Sequence, residues 1–344
     1  MFTHQEFDDH EIVSFFREPK SGLKAIIAVH STKLGSAGGG VRMQPYINSE
    51  IAIHDVLRLS KGMSYKNALA GIALGGGKAV LFGNPKTDKT PELMHALGDA
   101  IESLGGKYLA AEDVGMTLGD MEAIATRTKH VFGRDPKLGF GGEPSPMTAL
   151  GVFASIELCV MRELQSDLKG VRVAIQGAGA VGADLARRLG AAGAMVYVSD
   201  IDSARAAHAA SISGGEVISL DEIMHLECDV FAPCALGAIL NSASIPMLNA
   251  KIICGAANNQ LASNDHGKML LERGIIYAPD YVVNAGGIIN VAYEVGGNYD
   301  AKIVEKHVLK IPQTLEEILE QSRNSGIPSN EIADKMAREK IGRN

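Results

Sequence analysis

Cysteine is scarce in this chain, and tryptophan is absent altogether. The four cysteines show no C-x-x-C pair and no histidine at metal-ligand spacing; they are Cys159, Cys228, Cys234 and Cys254. A structural zinc site requires such a pattern, so we expect no bound metal. Unpatterned thiols in a chain of this size are typical of buried, reduced residues, which predicts a cytoplasmic protein.

Long apolar runs and an excess of positive charge are also missing. No uncharged apolar run approaches 18 residues, and the polar, acidic segment 1–10 lacks the hydrophobic core of a secretory signal. We therefore expect neither a membrane span nor export. Lysine and arginine number 33 against 40 aspartates and glutamates, which gives a net charge of −7. Without a basic surplus, we expect no nucleic-acid partner.

Glycine, in contrast, is abundant. It accounts for 39 of 344 residues, or about 11% against a typical value of about 7%. The hydrophobic fraction of 46% and the charged fraction of 21% are ordinary for globular proteins. The length predicts two domains, or at most three, and ample chain for sizeable cores. The glycines indicate places where the backbone turns sharply or approaches another group closely.

The first part of the chain alternates between strand and helix patterns. We predict strands at Glu11–Phe16, Lys24–His30, Lys78–Phe82 and Lys107–Ala111, and helices from Asn48, from Thr90 and over Leu118–Lys129. The Thr90-Pro91 pair is a helix start with an N-cap threonine and proline at the first helical position. This alternation predicts an α/β domain over residues 1–134, which a C-terminal helix at about 327–344 rejoins.

A stretch rich in glycine and proline, residues 133–146, predicts a linker or hinge. A second α/β domain is expected over residues 135–326. Its predicted strands are Val171–Gln176, Met195–Ser199, Asp229–Pro233, Lys251–Ala256 and Ile275–Ala278. Short β-rich runs that alternate with helical segments indicate a Rossmann-type, doubly wound parallel sheet.

The first strand of this domain leads into a G-x-G-x-x-G turn and then a helix. The turn consists of Gly177, Ala178, Gly179, Ala180, Val181 and Gly182. In such a turn the first glycine makes the bend, the second admits a pyrophosphate, and the third allows close helix–strand packing. Asp200 ends the next strand, where a carboxylate suits a ribose 2′-hydroxyl and repels a 2′-phosphate. This pattern predicts NAD rather than NADP, with Asp202 as a rival for the acidic role.

A second glycine run, Gly75–Gly77, places Lys78 in an apolar strand. Desolvation disfavours the ammonium, so we expect the pKa of Lys78 to fall toward a useful acid–base range. Lys66 would add a second cation that lowers it further, and it can bind a carboxylate. Asp113 follows a strand end, a common position for catalytic residues in α/β sheets. Beside a dinucleotide fold, these residues predict hydride transfer on a substrate that carries a carboxylate.

These motifs make the chain similar to the glutamate/leucine/phenylalanine/valine dehydrogenase superfamily, and most like its leucine dehydrogenase branch. The resemblance covers nearly the whole chain. Besides the Gly177 turn, it is carried by L-S-K-G-M-S-Y-K-N-A and G-G-G-K-A-V-L-F-G within 59–83, G-G-x-R-M at 39–43, A-E-D-V-G at 111–115, S-P-M-T-A at 145–149, A-P-C-A-L-G at 232–237, G-A-A-N-N at 255–259 and N-A-G-G at 284–287.

The resemblance implies an active site in a cleft between the domains. The implied reaction is NAD-dependent, reversible oxidative deamination of an L-amino acid to the 2-oxo acid, ammonia and NADH. Lys66 would bind the substrate α-carboxylate, Lys78 would activate the water that attacks the imine, and Asp113 would shuttle protons to the departing amine. The residues implied around the nicotinamide and the substrate are Thr148, Ala235, Ala256, Asn258 and Asn284. A homo-oligomer, from dimer to octamer, is also implied, with subunit contacts from the first domain.

The resemblance further bears on the choice of amino acid. The residues implied around the substrate are Gly38, Gly39, Gly40, Met63, Ala111, Asn258, Ile288 and Val291. Glutamate-specific members carry a lysine where this chain has Gly38 and a serine where it has Val291. Neither residue here can hold a second carboxylate, whose unpaired burial costs several kcal/mol. We therefore predict leucine, valine or isoleucine as substrate. Phenylalanine or another aromatic amino acid is the alternative, because Gly38 is small.

Two other interpretations stay open at this point. A 2-hydroxy-acid dehydrogenase shares the dinucleotide fold but needs a histidine with an acidic partner. The histidines here, such as His95, His130 and His208, show no such pairing, and we predict ordinary surface positions for them. A non-enzymatic NAD-sensing module would instead require the two lysines and Asp113 to be inert.

Overall fold

The computed structural model describes residues 1–134, 141–235, 237–295 and 299–343. The chain divides into two structural units. The first unit comprises Met1–Glu143, Ile288–Ala301 and Ala337–Asn344, and the second comprises Pro144–Gly287 and Lys302–Met336. Residues 135–140, which include the predicted start of the second domain and part of the predicted hinge, lie outside the described residues.

The first unit is built on a mixed five-stranded sheet. Its strands are β1 (Ile12–Glu18), β2 (Leu23–Ser31), β3 (Ala37–Gln44), β4 (Gly75–Phe82) and β5 (Tyr108–Glu112), in the spatial order β1-β2-β4-β3-β5. The pairs β1/β2 and β2/β4 are antiparallel, and β3 pairs in parallel with both β4 and β5. Its helices include α1 (Ser49–Leu69), α2 (Pro91–Glu102) and α3 (Leu118–Ala125). The predicted Thr90 cap is confirmed, since its side chain accepts the Leu93 N–H.

Alternation along the strands sends side chains to two cores, one on each face of this sheet. On one face, Val80 and its neighbours on β2 pack with Val56 and Leu57 of α1. On the other face, Leu81 packs with residues of α2 and α3. The parity of β4 therefore puts Lys78, two residues before Val80, on the face that α1 covers.

Strand β3 is absent from the prediction because three successive glycines usually indicate a turn. In the structure Gly38, Gly39 and Gly40 run along the strand, where a side chain on Gly39 would collide with the Gly77 carbonyl at 1.7 Å. The buried Tyr108 hydroxyl donates to the carbonyls of Gly39 and Gly40 at 2.8 and 3.0 Å. Close backbone approach, rather than a bend, is what these glycines permit.

The second unit contains a six-stranded sheet that is parallel throughout. The strands are β6 (Arg172–Gln176), β7 (Met195–Ser199), β8 (Glu216–Val217), β9 (Val230–Pro233), β10 (Ile252–Ile253) and β11 (Ile276–Tyr277), in the order β11-β10-β9-β6-β7-β8. This is the doubly wound Rossmann order, in which the chain reverses direction across the sheet between β6 and β9. The predicted fold class, two α/β domains with one parallel sheet, is confirmed. Strands β10 and β11 are shorter than predicted.

Helices complete the rest of the chain. They are α4 (Ser145–Leu164), α5 (Ala180–Ala191), α6 (Ser203–Ser213), α7 (Asp265–Glu272), α8 (Asp280–Val283), α9 (Gly286–Ala292), α10 (Ala301–Val308), α11 (Ile311–Ser325) and α12 (Ser329–Lys340). Helix α5 packs beside α4 and α6, and α11 packs against α4 and α8. In the described part of the chain, no helix combines the length and the apolar character needed to cross a membrane.

The bounds of the two units differ from the domain boundaries that the sequence suggests. Segment 288–301 returns to the first unit, partly because the buried Glu294 carboxylate accepts the backbone N–H groups of Gly133 and Gly141 at 2.7 and 2.9 Å. Near the C-terminus the chain rejoins the first unit at residue 337 rather than at 327. Such long-range hydrogen bonds leave no trace in local composition. The functions predicted for the two domains stay predictions.

Candidate active site

An ion pair between a buried lysine and a half-buried aspartate lies beside the first unit's glycine-rich strands. Lys78 Nζ is 2.7 Å from Asp113 Oδ2, and Lys78 is only 5% exposed. Gly40 leaves the space that the pair fills, because a Cβ there would lie 2.6 Å from Asp113 Cβ and 3.1 Å from Lys78 Nζ. The structure thus brings three of the predicted site residues together: Gly40 on β3, Lys78 on β4 and Asp113 just after β5.

Two cations determine the charge state of Asp113. Burial by itself raises the pKa of this carboxyl, but the Lys78 ammonium and the Arg42 guanidinium outweigh burial and lower the pKa to about 2. Asp113 is therefore ionised at neutral pH. Burial of Lys78 agrees with the expectation, whereas the sequence does not reveal its carboxylate partner, Asp113.

The last turns of α1 carry further predicted residues over the glycine strands. Met63 Cγ would be 3.4 Å from a Cβ on Gly39, and Asn67 donates to the Gly75 carbonyl at 2.6 Å. At Gly76 a Cβ would lie 2.0 Å from the Ser64 backbone nitrogen, so α1 rests directly on β4. The half-buried Lys66 lies in the last turn of α1. The close contact between α1 and the glycines of β3 and β4 therefore determines the positions of these side chains.

The space beside Gly38 is occupied by side chains of the same unit. A Cβ on Gly38 would meet Leu74 Cδ1 at 3.0 Å and Asn67 Nδ2 at 3.7 Å. Leu74, at 4% exposure, comes from the turn that precedes β4. The volume that a larger residue would occupy at position 38 is thus supplied by a neighbouring side chain.

The remaining predicted substrate residues of the first unit are Ala111, Ile288 and Val291. Ala111 is buried on β5 and pairs in register with Gly40. Ile288 and Val291 are three residues apart on α9, which places them on one side of that helix. Val291 is buried and Ile288 is half-buried. All three are apolar, and none of them can bind a charged side chain.

In the second unit, the G-x-G-x-x-G turn joins β6 to α5 as predicted. Gly177 has φ +104°, and a Cβ there would lie 2.7 Å from Ala235 Cβ, just after β9. A Cβ on Gly182 would lie 2.0 Å from the Gly177 carbonyl oxygen. A Cβ on Gly179, in contrast, would have no heavy atom within 4 Å. Ala180 and Val181 form the first turn of α5, whose amides are a suitable anion site. The turn therefore lies where the strand order reverses, with open space at its middle glycine.

The two candidate acids near this turn have different roles in the structure. Asp200, which follows β7, accepts the Ala178 N–H at 2.6 Å and the Asp202 N–H at 2.8 Å. Asp202 is the N-cap of α6 and accepts the N–H groups of Ala204 and Arg205. Helix capping accounts for Asp202, so the structural arrangement favours Asp200 as the residue beside the dinucleotide turn.

A second cluster in this unit follows the ends of β10 and β11. Buried Asn284 donates to the Ala256 carbonyl at 3.0 Å and to Asn258 Oδ1 at 2.8 Å. Its own Oδ1 is buried and has no hydrogen-bond partner among the described residues. Thr148 lies in the first turn of α4, and its hydroxyl would be 2.7 Å from a Cβ on Gly287. The structure thus brings Ala256, Asn258 and Asn284 together.

Comparison with known proteins identifies the family of this chain. Residues 10–130 match the family model described as Glu/Leu/Phe/Val dehydrogenase, dimerisation domain, and residues 201–340 match the model described as Glutamate/Leucine/Phenylalanine/Valine dehydrogenase. The leucine dehydrogenase of Bacillus subtilis (strain 168) is 46% identical over 344 residues, which is 100% of this chain and 94% of the relative. This chain belongs to the Glu/Leu/Phe/Val dehydrogenase family.

Other members of the family are similar at nearly the same level. The phenylalanine dehydrogenase of Bacillus thermotolerans is 42% identical over 98% of this chain and 90% of its own length. The crystal structure of L-tryptophan dehydrogenase from Nostoc punctiforme superposes with a TM-score of 0.85 and 44% identity, covering 97% of this chain and 96% of that chain. Family membership, the leucine dehydrogenase likeness and the enzyme class are therefore confirmed.

Two residues with clear positions in these sites were missed by sequence reasoning. Arg42 Nε donates to Asp113 Oδ2 at 3.0 Å. Gln260 is fully buried and donates to the carbonyls of Gly255 and Ala257, which holds the loop that carries Ala256. Arg42 is the one charged residue in strand β3, and that was the available signal for it; no comparable signal marks Gln260.

The prediction that the histidines lie on the surface without acidic partners is wrong for His130, whose Nε2 lies 3.8 Å from Glu102 Oε2, and for His30. The His30 ring is fully buried, with Nε2 3.2 Å from Asp8 Oδ2 and Nδ1 2.8 Å from Ser64 Oγ. Burial is the main cause that lowers the pKa of His30, and it lowers the pKa of the neighbouring His10 to about 4. This cluster joins the N-terminal segment to α1 and β2. Within the described ranges, no group of three or more histidine, cysteine, aspartate or glutamate side chains could hold a metal ion.

Proposed function

We propose that this amino acid dehydrogenase catalyses NAD-dependent, reversible oxidative deamination of leucine, valine or isoleucine. The products are the 2-oxo acid, ammonia and NADH. The observation that carries the proposal is the pair of buried Lys78 with half-buried Asp113 in the space left by Gly40. A lysine and a carboxylate in hydrogen-bond contact can pass protons to and from a reacting amine.

Three side chains of the first unit, Lys66, Lys78 and Asp113, each have one proposed task. Lys66, a cation on a half-buried helix turn, binds the substrate α-carboxylate. Lys78 activates the water that attacks the imine carbon, and Asp113 exchanges protons with the departing amine. Because Lys78 is 5% exposed, little competing bulk water surrounds it.

The second unit offers a site that fits a dinucleotide. The open space at Gly179, beside the amides that begin α5, suits a pyrophosphate. The Asp200 carboxylate favours a free ribose 2′-hydroxyl over a 2′-phosphate, and the unpartnered Asn284 Oδ1 suits a carboxamide N–H donor. NAD bound there would accept the hydride from the substrate Cα. Thr148, Ala235, Ala256 and Asn258 are its further proposed neighbours.

The choice of substrate rests on the apolar residues proposed for the pocket. Met63, Ala111, Ile288 and Val291 offer no partner for a distal carboxylate, which disfavours glutamate. Leu74 occupies the space beside Gly38, which favours a branched-chain side chain over an aromatic one. Similarity to leucine dehydrogenase supports this choice. Phenylalanine or tryptophan is the alternative, because relatives with those names are similar at 42–45% identity.

We also propose a homo-oligomer, from dimer to octamer, in the cytoplasm. The family model that matches residues 10–130 is described as a dimerisation domain, which supports self-association of the first unit. The four cysteines are free thiols, as is usual in a reducing compartment.

NADH absorbance in the presence of NAD and a panel of L-amino acids and L-hydroxy acids tests the proposal. We expect turnover with leucine, valine or isoleucine. Lys78→Ala should lower kcat by about 10²- to 10⁴-fold, the usual contribution of a general acid–base group. The matched control is Lys61→Ala, because Lys61 lies on α1 and pairs only loosely with Glu6, at 3.9 Å. Turnover confined to aromatic amino acids supports the alternative, and turnover confined to hydroxy acids contradicts the proposal.

A further inference from the structure

Arg42 is a second cation on the Asp113 carboxylate, and the proposed reaction gives it no task. Arg42 Nε and Lys78 Nζ both reach the same oxygen, Asp113 Oδ2, at 3.0 and 2.7 Å. The Arg42 and Asp113 side chains are each 21% exposed. An ion pair this sheltered from water is screened less than a surface pair.

A second carboxylate fixes the other end of the guanidinium. Arg42 Nη1 donates to Asp55 Oδ2 at 3.3 Å, and the Tyr46 hydroxyl donates to the same oxygen at 2.8 Å. Asp55 lies on α1, which covers this face of the sheet, and its side chain is 13% exposed. Arg42 therefore bridges two carboxylates with two different nitrogens, which a lysine in its place could not do with the same geometry.

The proposed reaction, on which this inference rests, requires Lys78 to gain and lose a proton. When Lys78 is neutral, a buried Asp113 with no other cation would tend to take up a proton. The guanidinium is always protonated in proteins, so it remains a counter-ion for Asp113 at both stages. We propose that Arg42 is a positioning residue that holds Asp113 in place and keeps it ionised between its proton exchanges, while Lys78 changes its protonation state.

Other ionisable groups around the pair do not replace Arg42 as a counter-ion for Asp113. Tyr108 on β5 stays protonated, because burial and the Asp113 charge raise its pKa well above the usual value. On α1, Arg58 Nη2 reaches Asp55 Oδ1 at 3.8 Å. Further ionisable side chains on the neighbouring elements include Glu50, His54, Lys61, Tyr65 and Lys66 on α1 and Glu112 on β5, and Tyr46 follows β3.

The test is a pH titration of the Asp113 carboxyl by ¹³C NMR, without substrate or cofactor. Protein labelled at the aspartate carboxyl carbon is used, and the Asp113 resonance is assigned by its absence from Asp113→Asn. In the wild type we expect this resonance to show that the Asp113 carboxyl stays ionised down to about pH 3, one unit above the pKa of about 2. In Arg42→Met its midpoint should rise by about one pH unit or more, because one of two neighbouring cations is lost.

Arg58→Met is the matched control, since it removes an arginine from the same network without touching Asp113. Its Asp113 titration should coincide with that of the wild type. Arg42→Lys keeps the charge but loses the bridge to Asp55, so its midpoint should fall between those of the wild type and Arg42→Met. If Arg42→Met fails to fold, the Asp113 midpoint of Arg42→Lys provides the test. If the Asp113 carboxyl of the folded Arg42 variants titrates with the same midpoint as in the wild type, the proposal is overturned.

The pH dependence of leucine turnover provides a second readout. In Arg42→Met the acid limb of kcat should move to higher pH, while Arg58→Met keeps the wild-type profile. Because the titration needs no substrate, absence of turnover in the wild type contradicts the proposed function but not the role of Arg42. Turnover with an unshifted Asp113 midpoint in Arg42→Met supports the function and overturns this role.

Discussion

Gly76 and Gly77 on β4 of the first unit lie against atoms of their neighbours, whereas Gly179 in the G-x-G-x-x-G turn of the second unit faces open space. A Cβ on Gly76 would lie 2.0 Å from the Ser64 nitrogen, and a Cβ on Gly77 would lie 2.7 Å from the Tyr108 ring. A Cβ on Gly179 would meet no heavy atom within 4 Å. Strand β4 of the first unit therefore uses Gly76 and Gly77 to pack protein against protein. The second unit leaves the place beside Gly179 for something that is not protein.

The units also differ in how their proposed binding groups are charged. In the first, the buried Lys78 and the half-buried Asp113 carry opposite charges and pair with each other. In the second, the dinucleotide turn offers mainly backbone N–H groups and the polar side chains around Asn284. Strands that must close over an ion pair need small residues, and a phosphate site needs accessible amides. Substitution of single glycines separates these two uses.

The largest effect is expected at Gly76. Gly76→Ala drives a methyl group into the α1 backbone at Ser64, so we expect a loss of about 3 kcal/mol or more in the free energy of unfolding. The measurement is the midpoint of urea unfolding followed by circular dichroism. The control is Gly62→Ala in the same helix, where a Cβ meets nothing within 4 Å. It should stabilise the protein by about 0.5–1 kcal/mol. A wild-type midpoint for Gly76→Ala would contradict tight packing of α1 on β4.

An effect on ligand binding, not on folding, is expected at Gly179. A methyl group there enters the space proposed for the pyrophosphate and should weaken NAD binding by about 1–3 kcal/mol, or about ten- to a hundredfold. Titration calorimetry measures the affinity, and the unfolding midpoint should stay near the wild-type value. Gly182→Ala is the contrasting variant, because its Cβ would lie 2.0 Å from the Gly177 carbonyl oxygen and should lower the midpoint. Unchanged NAD affinity in a folded Gly179→Ala protein would contradict the proposed site.

Sequence patterns predicted those features that depend on local spacing. The G-x-G-x-x-G turn, the Thr90 helix start and the burial of Lys78 follow from periodicity and turn chemistry, and they agree with the structure. Strand β3 was missed because Gly38–Gly40 has no side chains to show a strand period. The burial of His30 beside Asp8 and the contact of Arg42 with Asp113 join residues 22 and 71 positions apart. Contacts at such separations follow from the fold and not from local composition.

The smallest effect is expected at Leu74, and it tests whether a filled glycine position can be opened. Leu74→Val removes the atom nearest to the missing Cβ of Gly38 and so enlarges the space beside β3. We expect kcat/KM for phenylalanine relative to leucine to rise by about tenfold, since one methylene is worth about 1–3 kcal/mol in an apolar pocket. NADH formation with both amino acids measures this ratio.

The double variant Gly38→Ala/Leu74→Val is the control for that change. In Gly38→Ala alone the new methyl group lies 3.0 Å from Leu74 Cδ1, whereas in the double variant the shortened side chain accommodates it. The selectivity of the double variant should therefore return toward the wild-type value, and the two substitutions should be non-additive, as expected for residues in contact. If Leu74→Val folds and its selectivity equals that of the wild type, the space beside Gly38 does not belong to the substrate pocket. Gly38 would then be a packing glycine like Gly76 and Gly77.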